Sequence, residues 1–211
     1  MVLIIVGESH ATFMRNFTWR NEESLWIDCI DKYPRLFRAH HNLGKYYAEL
    51  NQDEKAIAQY KKALELKETH IKGERSISYY NLGLIYTKRK EYEKAKEHYL
   101  HALKLNPQFS DAHHNLASVL ANNPNNQARV YEELKKAITY NPKTSLAYSD
   151  LGFLLAKMGK LDAAIHQIQK ALQIEPGNVP ALERMGFVYR EKGEMGKAFS
   201  YFFKALKQRR S

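Results

Sequence analysis

AHHNLGKYYAEL, residues 39–50, is a phrase that the chain keeps restating. It returns as SYYNLGLIYTKR at 78–89, AHHNLASVLANN at 112–123, AYSDLGFLLAKM at 147–158 and ALERMGFVYREK at 181–192. A small residue holds the same place in each copy: Gly44, Gly83, Ala117, Gly152 and Gly186, with spacings of 39, 34, 35 and 34 residues. Downstream landmarks keep phase with it. Ala56, Ala95, Ala164 and Ala198 come first, then Tyr60, Tyr99, Ile168 and Phe202, then Ala63, Ala102, Ala171 and Ala205. Steps of three and four residues place these side chains on one stripe of a helix. Each period therefore predicts two helices that approach closely at small residues, with one large side chain filling the gap. Pro107, Pro142 and Pro176 fall between periods, where a missing N–H and a fixed φ do no harm.

Two copies depart from the ruler. In the third, Asn122-Asn123-Pro124-Asn125-Asn126 makes the turn between helices one residue longer and moves the packing trio to Val130, Leu134 and Ala137. The first carries five extra residues around Thr69 to Glu74, expected to extend helix ends or form a small loop. A period near 34 with this content resembles the tetratricopeptide repeat (TPR) family. The resemblance implies an all-α fold, a right-handed superhelical solenoid of antiparallel helix pairs. Five units are expected at about 37–75, 76–109, 110–144, 145–178 and 179–211, stacked as one continuous array. A lead-in segment, 1–20, and an N-terminal capping helix, 21–36, precede them.

Lys and Arg number 33 against 23 acidic residues, a net charge of +10. That balance permits nucleic acid, anionic lipid or acidic protein as partner. Most lysines alternate with glutamates, as in KRKEYEKAKEH at 88–98, which reads as a solvated helix face; nucleic acid is not the expected partner. Cys29 is the single cysteine, so no intrachain disulfide forms and no cysteine cluster holds a metal.

The family resemblance implies a concave groove lined by the first helix of each unit. In the first unit it points to His41, Asn42, Lys45, Ala48 and Glu49, and in the second to Tyr80, Asn81, Leu84, Thr87 and Lys88. The later units supply His114, Asn115, Ser118, Ala121 and Asn122, then Ser149, Phe153, Ala156 and Lys157, then Glu183, Phe187, Arg190 and Glu191. Mixed polar and aromatic chemistry suits an extended peptide or a partner helix. Asn42, Asn81 and Asn115 recur two places before the small residue, followed by Asp150 and Arg184. That series resembles the ladder with which the superhelical domain of O-linked N-acetylglucosamine transferase holds peptide backbone. An amide donates and accepts, so the same residues can equally bond neighbouring helices. Relatives that grip acidic chaperone tails use a carboxylate clamp. Here its places hold His41, Lys45, Asn81, Asp111 and Asn115, and Asp111 puts an acid where a cation is needed.

Catalysis is not expected. Ser9-His10 has no acid partner, the pairs Glu22-Glu23 and Asp28/Asp31 lack a pocket, and no phosphate loop or dinucleotide glycine pattern occurs. His40-His41 and His113-His114 are adjacent pairs two repeats apart, too far for one metal; no cofactor or metal is expected. His40 and His113 read as packed side chains, and His41 and His114 as groove residues that make binding mildly pH-sensitive.

The ends carry their own signals. Leu25, Trp26, Cys29 and Ile30 form an apolar stripe in repeat phase, able to cap the first unit. MVLIIV, residues 1–6, is too short to span a bilayer. The run from Arg15-Asn16 through Trp19 and Trp26 to Gly44 resembles the junction at which mannosyltransferase-like multi-spanning membrane proteins pass into C-terminal TPRs. That likeness implies a membrane tether upstream of residue 7 and an extracytoplasmic setting; a complete chain implies a cytoplasmic one. At the other end Phe199, Phe203 and Leu206 have no following helix to meet, which points to self-association there. The function expected is a non-enzymatic scaffold binding protein or peptide. The alternative is the repeat domain of a membrane glycosyltransferase-like protein that positions acceptor protein.

Overall fold

Gly83 and Tyr99 show how one repeat closes. A Cβ on Gly83 would stand 2.6 Å from Tyr99 Cδ1 and nearer still to Cε1, so only a hydrogen fits between the helix backbone and the fully buried ring. The same contact recurs at Gly44 against Tyr60, Gly152 against Ile168 and Gly186 against Phe202. Burying each large side chain contributes about 1.5–3 kcal/mol, and the glycine lets the helices come close enough to do it.

The computed structural model describes residues 21–66 and 72–209. The hexamer 1–6, Ser9-His10, the junction residues before Asn21 and the Thr69–Ile71 part of the insertion lie outside them. Among the described residues the regular elements are all helical: α1 (Glu22–Lys32), α2 (Phe37–Glu49), α3 (Asp53–Glu65), α4 (Lys72–Lys88), α5 (Tyr92–Leu105), α6 (Ser110–Leu120), α7 (Gln127–Tyr140), α8 (Ser145–Lys157), α9 (Leu161–Ile174), α10 (Val179–Glu191) and α11 (Met195–Gln208), with a 3-10 turn at Pro124–Asn126. They fall into two compact units, one ending at Asn106 and one starting at Pro107. In the first, α1 packs on α2, and α2/α3 and α4/α5 are antiparallel pairs; in the second, α6/α7, α8/α9 and α10/α11 are. First helices also meet directly, α2 with α4 and α8 with α10.

The turn inside each pair has a backbone rule. Asn51, Lys90, Gly159 and Gly193 stand seven residues after the small residue, and all have positive φ, 57°, 60°, 75° and 79°. That left-handed residue ends the first helix and reverses the chain. In the third repeat the same place is Pro124, whose ring holds φ near −65°. The reversal is made instead by the 3-10 turn, capped by Asn123 accepting from the Asn125 N–H at 3.0 Å. One more residue is consumed, and α7 buries Val130, Leu134 and Ala137 in place of the usual phase.

Boundaries between repeats are tied by polar groups that also serve as caps. Asn178 accepts from the Ala181 N–H at 2.9 Å as N-cap of α10 and donates to Ser145 Oγ at 2.9 Å. Ser145 in turn donates to the Ala171 carbonyl at 3.3 Å, and Ser110 does the same to Ala137 at 2.9 Å. His40 and His113 are both buried, each with Nε2 donating to the carbonyl six residues upstream, Pro34 at 3.1 Å and Pro107 at 2.9 Å.

Candidate functional site

Side chains placed on the first helices converge on two clefts, one in each compact unit. The cleft between α2 and α4, about 580 Å³, is lined by His41, Asn42, Lys45, Asn81, Leu84 and Lys88, with Tyr60 at its floor. His41 Nδ1 lies 2.7 Å from Ser78 Oγ, and its ring stacks on Phe37 at 5.8 Å. Burial pulls its pKa below the usual histidine value, Glu74 opposing and Lys45 reinforcing the shift. The Asn81 amide donates to Tyr60 Oη at 3.1 Å; burial raises the Tyr60 phenol pKa despite that bond. The amide of Asn42 and the carbonyl oxygen of Asn81 meet no partner among the described residues. Lys88 is held by Asp53 at 3.0 Å and Asn51 at 2.9 Å. Tyr80 meets Tyr99, ring centroids 5.9 Å apart. Thr87 is engaged by the Gly83 carbonyl at 2.8 Å and Tyr99 Oη at 3.0 Å.

In the second unit a cavity of about 370 Å³ lies among α6, α7 and α8. Ser118 and Phe153 line it, with Leu134 behind them and Asp150, Lys157 and Arg184 around them. Asp150 accepts from His114 Nε2 at 2.6 Å and pairs with Arg184 Nη2 at 2.5 Å, while Arg184 Nη1 donates to Ser149 Oγ at 2.7 Å. Burial pushes the Asp150 pKa up, but the His114 hydrogen bond and the Arg184 charge outweigh it, so the carboxyl sits below its ordinary value. The Phe153 ring meets Phe187 edge-on at 5.9 Å, with Lys157 over it at 4.7 Å and Arg184 at 5.3 Å. Asn115 is half-buried on α6.

The groove positions named from sequence thus separate. His41, Asn42, Lys45, Asn81 and Leu84 share one cleft, and Ser118 and Phe153 share the other, with His114 and Phe187 reaching it through Asp150 and Phe153. Ser149 and Ala156 do not belong to an open groove: they are 0% and 7% exposed, and Arg184 crosses from α10 onto Ser149. Phe199, Phe203 and Leu206 lie on α11 with 65%, 69% and 47% of their surface exposed. Sequence reading placed Asp150 and Arg184 at ladder positions without finding that they pair; the complementary charges two places before successive glycines were the available signal. Among the described residues no three His, Cys, Asp or Glu side chains are grouped to hold a metal, and no helix is long and apolar enough to cross a membrane.

Comparison with known proteins adds a lineage to this geometry. Family models described as tetratricopeptide repeat match residues 37–70, 76–109, 98–135 and 145–178, together well over half of the chain. The chain is similar to the crystal structure of YrrB, a TPR protein with an unusual peptide-binding site: 26% identity, 87% of this chain and 91% of that one covered, TM-score 0.69. It is also similar to MamA, with 26% identity, 82% and 91% coverage and a TM-score of 0.67. A likeness to pilF of Pseudomonas aeruginosa, with 21% identity, 82% and 76% coverage and a TM-score of 0.69, shows the fold alone. No curated protein sequence matches the chain.

Proposed function

Because the chain belongs to the tetratricopeptide repeat family, we propose that it is a non-enzymatic scaffold that binds an extended peptide or partner helix along its first helices. One observation carries this reading. In the α2/α4 cleft the Asn42 amide and the Asn81 carbonyl oxygen meet no hydrogen-bond partner among the described residues. A half-exposed amide of this kind offers a donor and an acceptor to a backbone without demanding a particular side chain. Leu84, 40% exposed beside them, supplies apolar contact. The peptide-binding site described for YrrB supports a peptide as the ligand class.

The test is a titration of isotope-labelled protein with peptides selected from a random display library, followed by amide and side-chain NMR. Shifts confined to the first helices, α2 and α4 in one unit or α6, α8 and α10 in the other, support the proposal. Shifts on α3 and α5, or no selectable peptide, overturn it. The likeness of residues 15–44 to a membrane-exit junction extends the reading to acceptor-protein recruitment by a membrane glycosyltransferase. Coding sequence for several hydrophobic spans upstream of Met1 is what that extension requires.

A further inference from the structure

The repeats act as controls for one another, and one cleft breaks their rules twice. Pro124 forbids the left-handed turn used at Asn51, Lys90, Gly159 and Gly193. The resulting shift sets Leu134 where the first two repeats place Tyr60 and Tyr99; opposite it Ala117 stands where the other repeats have glycine. Leu134 brings no hydroxyl, so it gives this cleft an apolar wall where Tyr60, bonded to Asn81, gives the first cleft a polar one. That wall belongs to the 370 Å³ cavity floored by Ala117, Val130, Leu134 and Phe153, within the size range of ligand pockets, about 300–1,000 Å³.

The second broken rule concerns charge. Lys88 and Lys157 both stand five residues after their glycine. Lys88 is neutralised by Asp53 from the preceding turn, with Asn51 as a second partner. The corresponding turn before Lys157 is Asn-Asn-Pro-Asn-Asn and contains no acid. Lys157 lies over the Phe153 ring at 4.7 Å and meets no carboxylate among the described residues, while Arg184 beside it is already paired with Asp150. The cavity therefore combines an apolar floor, an amide-bearing rim of Asn123 and Gln127, and one cation without a counter-charge.

We propose that this cavity is an anchor pocket for an extended peptide in which a bulky apolar side chain, aromatic or Leu-like, is directly followed by Asp or Glu. The apolar side chain lies against Val130, Leu134 and Phe153, and the carboxylate takes beside Lys157 the place that Asp53 has beside Lys88. A buried apolar anchor with a charge-assisted contact at its rim is an efficient way to fix the register of a chain lying along the first helices. The assignment rests on the peptide-binding reading above and gives it a sequence preference.

The test is an immobilised array of decapeptides with Phe, Leu or Ala at the centre, each followed by Asp, Asn or Lys. It is probed with the wild type, Lys157→Glu and Ala121→Trp, the last placing an indole at the exposed rim. The wild type is expected to retain Phe-Asp and Leu-Asp peptides about tenfold over Ala-Asp and Phe-Lys. Lys157→Glu reverses the charge preference, and Ala121→Trp removes the apolar one at unchanged helicity; if the indole unfolds the repeat, the exposed Lys157→Glu change decides alone. Peptides retained equally by all three forms leave the groove reading standing and overturn the pocket. No peptide retained by any form overturns both.

Discussion

Replacing Gly83 by Ala tests the packing rule on which every placement above depends. In an open helix interior the change would stabilise by about 0.5–1 kcal/mol, since Ala is the better helix former. Here the added methyl meets Tyr99 Cδ1 at 2.6 Å and Cζ at 2.9 Å. The ring cannot retreat: Tyr99 is 0% exposed, and its hydroxyl is held by Thr87 at 3.0 Å. Overpacking of this kind costs about 1–3 kcal/mol, so the clash outweighs the propensity gain and the expected net loss is about 1–2 kcal/mol. Tyr99→Leu alone empties the gap and strands the Thr87 hydrogen bond, for about 2–4 kcal/mol. Combined, the methyl enters the space the ring left, much as Ala117 and Leu134 coexist in the third repeat. The double variant should then be more stable than the sum of the singles by about 1–2 kcal/mol. Urea unfolding followed by far-UV circular dichroism reads all three, with Gly73→Ala, where an added Cβ meets nothing within 4 Å, as a control expected to be as stable as wild type or slightly more so. A Gly83→Ala protein as stable as wild type, or strict additivity in the double variant, would refute the reasoning.

Asn81→Ala removes the donor to Tyr60 Oη and is expected to lower stability by about 0.5–1.5 kcal/mol in addition to weakening peptide binding; Asn42→Ala, which breaks no described hydrogen bond, should weaken binding alone. Comparing melting curves and peptide titrations separates the two residues, and equal stability loss in both would contradict the assignment. The folded-state pKa values of His41 and His98 lie below 6.5 because burial disfavours their charged forms, with Lys45 adding to the shift at His41 against Glu74, and His101 and Lys61 adding to it at His98 against Glu97. Below pH 6.5 the unfolded chain therefore binds more protons than the folded one; their contribution is full above 6.5 and is lost as pH falls through the lowered values. Thermal melts from pH 7.5 to 5.5 should show a falling Tm, and the fall should shrink in His41→Gln with His98→Gln; an unaltered pH slope would contradict it. Asp150 and Glu133 have lowered carboxyl pKa values, so a further loss follows only as pH drops below the ordinary carboxylate range. Phe203→Asp, on the exposed face of α11, is expected to lower the mass measured by light scattering if the end faces of two chains associate; an unchanged monomeric mass in both forms ends that reading.

The repeat was legible because its packing is local. Gly44, Gly83, Gly152 and Gly186 lie at fixed steps from the rings or branched chains they touch, and the third repeat's new trio followed from counting through Asn122–Asn126. Burial of His40 and His113 was legible for the same reason: both replace an aromatic at a core position. Pairing between successive first helices was not. Whether Ser149 faces a groove depends on Arg184, 35 residues away, laying its guanidinium across it. The cation at Lys157 looks like the one at Lys88 until the turn before each is set beside it. Phase along one helix says nothing of which long side chain from the next repeat will cross it.

The most direct measurement is site-specific photo-crosslinking in extracts of the source cells. Benzoylphenylalanine replaces either Leu84, in the α2/α4 cleft, or Leu100 on α5, positions that are 40% and 41% exposed and so equally open to a passing molecule. The account predicts a discrete protein adduct from Leu84, competed by the peptides selected in vitro, and none from Leu100. Adducts of equal yield from both positions, or from Leu100 alone, would contradict it.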